Sequence, residues 1–188
     1  MGVAQALDGL HRRGEVCGGL RPDTVELDGN TPVLLPAGSD PEAPGEPWQA
    51  AYVAPEVHAG GRPDARSDLF ALGVLVHEMA TGRIPFVGAT VADVTRAIRA
   101  GRFVGLDEHE PMAPPSLTRL LATCLAPDAD ERWQSARDFG RELGWTGALD
   151  EPAPERLEDD SRASPATLYG VIGLAAGIVL SGAWRACG

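Results

Sequence analysis

The sequence predicts a mainly α fold: a helical lobe with one small β-hairpin, followed by a single transmembrane helix. Three observations predict it. Residues 66–81, RSDLFALGVLVHEMAT, are apolar almost all round, as in a helix buried mid-domain. Four shorter stretches have helical spacing, against only two β-prone runs. Towards the C-terminus, the nineteen residues 166–184 carry no charge.

VAQALDGLH (3–11) places Val3, Leu7 and Leu10 on one helical face, and Gly14 ends that helix. TVEL (24–27) and PVLL (32–35) are β-prone and are joined by DGNT, a hairpin signal. PAGSDPEAPGEPWQ (36–49) is rich in proline, glycine and acid and reads as a loop. The buried helix follows, with Gly82 as its stop and Pro85 beyond. TVADVTRAIRAG (90–101) is a short amphipathic helix stopped by Gly101. SLTRLLATCL (116–125) spaces Leu117, Leu120, Leu121, Cys124 and Leu125 as a core-facing stripe. QSARDFGREL (134–143) is the final amphipathic helix, and the lobe is expected to span 1–145.

Residues 146–165 are polar, acidic and hold prolines, so they read as a flexible linker. ATLYGVIGLAAGIVLSGAW (166–184), at roughly 1.5 Å per residue, reaches close to the ~30 Å of a hydrocarbon core. Tyr169 and Trp184 lie near its ends, where interfacial aromatics belong. A buried core helix is the alternative, and the acidic linker in front argues against it. Gly173 and Gly177 form a G-x-x-x-G pair, a route to self-association through that helix. Residues 185–188 are a short tail. Arg156 and Arg162 on the linker side, against Arg185 beyond, orient the expected single-pass protein in the cytoplasmic membrane with its lobe in the cytosol.

Net charge is −11, and an acidic surface disfavours nucleic acid. All 16 basic residues are arginine, which excludes chemistry that needs a lysine, such as Schiff-base formation. Cys17, Cys124 and Cys187 are odd in number and widely spaced, so reduced thiols are expected rather than a disulfide framework. His11, His58, His77 and His109 show no metal-ligand spacing, and no metal or other cofactor is expected. No basic segment followed by an apolar run opens the chain, so no signal peptide is read there. Abundant alanine, glycine and arginine without lysine suggests a GC-rich bacterial genome.

SDLFALGVLVHEMATGRIPF (67–86) closely resembles the helix F region of serine/threonine protein kinases, S-D-x-[FYW]-x-[LF]-G followed by E-[ML]-x-T-G-x-x-P-F. AAYVAPE (50–56) resembles the end of the family's activation segment, G-T-x-x-Y-M-A-P-E. CLAPDADERWQSARDF (124–139) resembles its C-L-x-x-D-P-x-x-R stretch. The three come in the family's order and at its distances. The resemblance is to bacterial, eukaryotic-like serine/threonine kinases. It implies a protein-kinase-like C-lobe over residues 1 to about 145, with the N-terminal lobe absent.

The family's catalytic loop, H-R-D-L-K-P-x-N, aligns with Cys17-Gly18-Gly19-Leu20-Arg21-Pro22-Asp23-Thr24. By that resemblance Gly19 stands where the catalytic aspartate orients the substrate hydroxyl and accepts its proton. Thr24 stands at one metal-binding position, and Pro36, in Pro36-Ala37-Gly38, at the other. Gly18 replaces the arginine that receives a phosphorylated activation loop. Gln49 replaces that loop's usual threonine. Arg21 replaces the loop lysine and either holds an anion, stays solvated as a free cation or pairs with a local acid. Asp23 and Asp28 are the spare acids nearby, and Asp23 falls on a variable position. Other positions keep the pattern: Asp68, expected to hydrogen-bond the old catalytic loop; Gly73 in helix F; and Glu56 with Arg132, the family's buried ion pair.

These departures imply a catalytically dead member: a membrane-anchored pseudokinase that binds or scaffolds partners in signalling. The helix after helix F and the groove near it would be its docking surface. Another protein is expected to cover the face that an N-lobe normally covers. Two alternatives stand beside this. One is an N-terminally truncated serine/threonine kinase with a misassigned start; the other is a non-functional gene remnant.

Overall fold

The computed structural model describes residues 2–35 and 45–149. Expectations for Pro36, for the rest of 36–44 and for 150–188, Gly173, Gly177 and Cys187 included, lie outside those residues.

Helix α1 (Gly2–Arg12) buries Ala4 and Leu7, with Val3 and Leu10 packed against the same core. Gly14 follows at φ 74°, a left-handed turn that favours glycine. The catalytic-loop stretch then leads into a 3-10 turn, Pro22–Thr24. Strands β1 (Val25–Asp28) and β2 (Thr31–Leu34) pair antiparallel, in register from Val25 opposite Leu34 to Asp28 opposite Thr31. The hairpin is displaced slightly from 24–27 and 32–35 because Thr24 is drawn into the 3-10 turn. Gly29, at φ 60°, makes its two-residue turn possible.

Two four-residue helices follow, α2 (Pro47–Ala50) and α3 (Pro55–His58), each with proline in its first turn. The sequence gives no periodic signal for either, since four residues make barely one turn. The same holds for α6 (Leu106–His109).

Helix α4 (Ala65–Thr81) is the centre of the lobe, with an almost continuous buried run from Ser67 to Leu75. Asp64 caps it, its side chain accepting from the Arg66 and Ser67 amides at 2.8 and 3.2 Å. Gly82, at φ 69°, ends it. Phe70 on α4 stacks on Phe86 with ring centroids 5.6 Å apart. Helix α5 (Val91–Arg99) starts at the Thr90 cap and packs on α2 and α3. Helix α7 (Pro115–Cys124) lays Leu117, Leu120, Leu121 and Cys124 into the core against α4. Helix α8 (Ala136–Leu149) packs on α1 and α7. It runs past the expected end at 143, because no proline interrupts the backbone ladder before Pro152.

The predicted fold class needs one correction. Among the described residues no helix is long and apolar enough to cross a membrane. The most apolar, α4, has 17 residues, about 25 Å, and its apolar surface is consumed by the lobe's own core. The span expected at 166–184 lies outside the described residues. Over the described residues the fold is therefore a mainly helical lobe with one hairpin, and none of its helices supports the expected span. The single-pass, cytoplasmic-membrane localisation built on that helix is withdrawn with it.

Candidate functional site

The loop Cys17–Thr24 is held from below by one side chain. Asp68, buried on α4, accepts from the backbone amides of Cys17 at 2.9 Å and Gly18 at 2.8 Å, and its Oδ2 lies 2.8 Å from His11 Nε2. Gly18 takes φ 70°, a backbone state that favours glycine. Gly19 is not among the described glycines with positive φ, so its backbone accommodates any residue.

At Gly19 the loop presents no side chain. Thr24 Oγ1 is engaged within the loop: it accepts from the Arg21 amide at 2.9 Å and lies 3.0 Å from the Gly19 and Arg21 carbonyls. Arg21 Nε donates to Asp23 Oδ1 at 3.1 Å, so the pairing alternative, not the free cation, describes Arg21. The same contact occupies Asp23. Leu20 and Cys17 point into the core, and burial pushes the Cys17 thiol up, away from the reactive thiolate. The loop backbone is a built scaffold, and its Gly19 position carries no carboxylate.

The structure brings Glu56 and Arg132 together. The Arg132 guanidinium donates to both Glu56 oxygens, at 2.9 and 2.7 Å. Its other donors reach the carbonyls of Ala126 at 2.8 Å, Arg66 at 3.2 Å and Pro127 at 3.1 Å. It also stacks over the Phe70 ring, 5.2 Å from the centroid. Ser67 Oγ gives Glu56 a third bond, at 2.7 Å. Burial pushes the Glu56 carboxyl up, but the arginine and serine donors outweigh it and hold the group below the usual carboxylate range.

Gly73 sits where α4 crosses α7. A Cβ there would lie 2.5 Å from Cys124 Cβ, so only glycine permits this approach.

One pair escaped the sequence reading. The Tyr52 hydroxyl donates to Glu78 Oε2, joining the segment before α3 to the end of α4. Burial pushes the Tyr52 phenol up, and Glu78 adds to that. Burial also pushes the Glu78 carboxyl up, against the Tyr52 bond. The signal was available: Glu78 is an acid that follows the long apolar run of α4, and a partly buried acid calls for a partner. His77, without metal-ligand spacing in the sequence, is a partnered core histidine and fully buried. Its ring nitrogens lie 2.9 Å from the Arg83 carbonyl and 3.1 Å from that of Val104.

Residues 38–137 match the family model described as protein tyrosine and serine/threonine kinase, more than half of the chain. The chain belongs to the protein kinase family. Several similar proteins are bacterial kinases. A probable serine/threonine-protein kinase of Streptomyces coelicolor is 30% identical, over 79% of this chain and 25% of the relative. The serine/threonine-protein kinase PknB of Mycolicibacterium smegmatis is 27% identical, over 86% of this chain and 28% of its own length. A DNA damage-responsive serine/threonine-protein kinase of Deinococcus radiodurans is 40% identical over 45% of this chain and 13% of that protein. The chain thus spans about a quarter, or less, of these kinases, and it is a partial kinase domain.

Proposed function

We propose that this partial kinase domain is a pseudokinase, a protein-binding or scaffolding module in signalling without phosphotransfer of its own. One observation carries the reading. Gly19 leaves the proton-acceptor position without a side chain, while the neighbouring polar groups Thr24, Arg21 and Asp23 are committed to bonds inside the loop. Phosphoryl transfer rests on positioning and charge stabilisation, and each missing group removes part of it. Val16, Val33 and Trp48 are exposed apolar side chains that a partner protein would cover.

The test is incubation of the full chain with γ-labelled ATP, magnesium or manganese, and a serine-rich acceptor protein. No incorporation above the blank is expected. Label that grows with protein concentration and disappears in Asp23→Asn would show a working, rewired kinase instead.

The relatives' greater length favours a second reading: a serine/threonine kinase whose remaining lobe is encoded outside these 188 residues. The intact mass of the native product separates the two. A product larger by roughly a kinase N-lobe makes nucleotide binding the next measurement, with Gly19 still leaving the proton acceptor absent.

A further inference from the structure

We infer that His77 is a proton-operated latch between α4 and segment 103–105: its charged ring holds two carbonyls at once, and its neutral ring holds only one. The latch operates whether or not the lobe transfers phosphate. His77 is fully buried on α4. Its Nδ1 lies 2.9 Å from the Arg83 carbonyl oxygen, and its Nε2 lies 3.1 Å from that of Val104. Both partners are acceptors only. A neutral imidazole has one N–H, so in either tautomer the other nitrogen turns a lone pair on a carbonyl. The imidazolium has an N–H on each nitrogen and donates to both. Thr81 does not relieve the conflict. Its Oγ1 is 3.4 Å from Nδ1, and its one proton has nearer acceptors in the His77 and Arg83 carbonyls, at 2.9 and 3.0 Å.

The neutral ring keeps its proton on Nδ1. The Arg83 carbonyl sits in a tight loop just past α4, where the Arg83 amide also donates to Thr81 Oγ1 at 3.1 Å, and it cannot withdraw. The Val104 carbonyl can. It lies on the connection from α5 to α6, where the Val104 amide donates to the Pro85 carbonyl at 2.9 Å and Phe103 meets Phe86 edge-on. The ionisable groups around the ring leave its charge to the carbonyls. On α6, His109 stands edge-on to it with centroids 6.3 Å apart, and Glu108 is turned to the Gly105 amide. On α7 the group nearest α4 is the buried Cys124 thiol. On α4 itself Glu78 is bonded to Tyr52, and α1 presents His11 to Asp68. Burial pulls the His77 pKa below the usual histidine value, the two carbonyls pull it up, and His109 pulls it down. A loosened form keeps the burial and gives up one carbonyl, so it binds the proton less tightly than the latched form. By linkage the latch is closed in acid and is lost as pH rises through the lowered pKa of latched His77. Against the unfolded chain the same lowered pKa costs stability in acid, so closure reads locally and not in global stability.

The experiment is NMR of the full chain with nitrogen-15-labelled histidine, joined to hydrogen exchange at the Val104 amide, from about pH 7.5 to about pH 4.5. His77 is expected to carry one ring N–H at the neutral end and two at the acid end. Val104 protection, corrected for the intrinsic exchange rate, should rise about fivefold with the same midpoint. His77→Phe takes up no proton and should leave Val104 protection flat. His109→Gln removes the opposing charge and should move both midpoints to higher pH. It sits on a half-buried side chain and leaves His77 in place, which keeps the test open should His77→Phe not fold. A ring that keeps one N–H throughout, with Val104 protection unchanged, overturns the latch. So does a pH dependence that survives in His77→Phe or vanishes in His109→Gln.

Discussion

Arg132 and Glu56 come from distant parts of the chain and meet through two charge-assisted hydrogen bonds, with the Arg132 side chain wholly buried. Removing either partner strands the other, and a stranded buried charge costs about 3–5 kcal/mol. We expect Glu56→Ala to lower unfolding stability by that amount in urea titration. Acid should have a related effect. The carboxyl is held below its usual range when folded, so its contribution is complete above the ordinary glutamate pKa of about 4.3 and is lost as pH falls through the lower folded value. A wild-type stability that does not fall in acid would remove this ion pair from the stability argument.

Gly73→Ala places a methyl group into Cys124. Overpacking of this kind costs about 1–3 kcal/mol, and the close atom is a Cβ that cannot swing away without α7 itself moving. Gly82→Ala is the useful contrast, since nothing lies within 4 Å of its Cβ position and only its left-handed φ of 69° is at stake. Thermal denaturation should separate them. Shortening Cys124 to glycine should recover part of the stability lost in Gly73→Ala and nothing in Gly82→Ala.

Asp68→Asn keeps one acceptor oxygen and turns an NH2 group towards donors. The Cys17 and Gly18 amides cannot both be satisfied, at a cost of roughly 1.5–3 kcal/mol. The loss should be local first. Hydrogen exchange should show the Cys17 and Gly18 amides losing protection while the α7 ladder keeps its own. Uniform loss across the lobe would mean that Asp68 holds the whole fold rather than this loop.

Tyr52→Phe leaves the half-buried Glu78 carboxyl without its donor. Glu78 has its folded pKa raised by burial, so its charged form is the disfavoured one, and stability falls as pH rises through the raised value. The lost hydroxyl therefore matters most where Glu78 is ionised. We expect a loss of about 1–3 kcal/mol near pH 7 that shrinks near about pH 4. A loss independent of pH would assign the effect to packing of the ring instead.

The elements legible in the sequence are those whose signal is local. Asp64, Gly82 and the apolar run between them mark α4 from its own residues. Leu117 to Leu125 mark α7 by spacing, and DGNT marks the hairpin. The short helices α2, α3 and α6 carry no period to detect. The candidate loop was legible by motif, down to Asp68, but its internal bonds were not. That Thr24 turns inward and Arg21 pairs with Asp23 depends on a loop conformation that residue types alone do not specify. Tyr52 and Glu78 lie 26 residues apart, and only the packed lobe brings them into reach. The membrane expectation at 166–184 finds no support among the described residues, and an uncharged run of that length is compatible with a span but does not establish one.

Gly19→Asp tests whether that single position decides phosphotransfer by this loop. Gly19 lacks a positive φ, so the aspartate fits the backbone, and the Asp68 anchor below it is untouched. The variant should therefore fold with wild-type stability, within about 0.5 kcal/mol. It should still transfer no phosphate. Thr24 remains bonded to the Gly19 carbonyl side of the loop rather than open to a metal, and no lysine exists in the 188 residues to hold the phosphates. Catalytic groups of one site act as a unit, so restoring one of several returns little of the rate. Label incorporation by Gly19→Asp, absent from the wild type, would show that the other departures are tolerated and that this single position had switched the loop off.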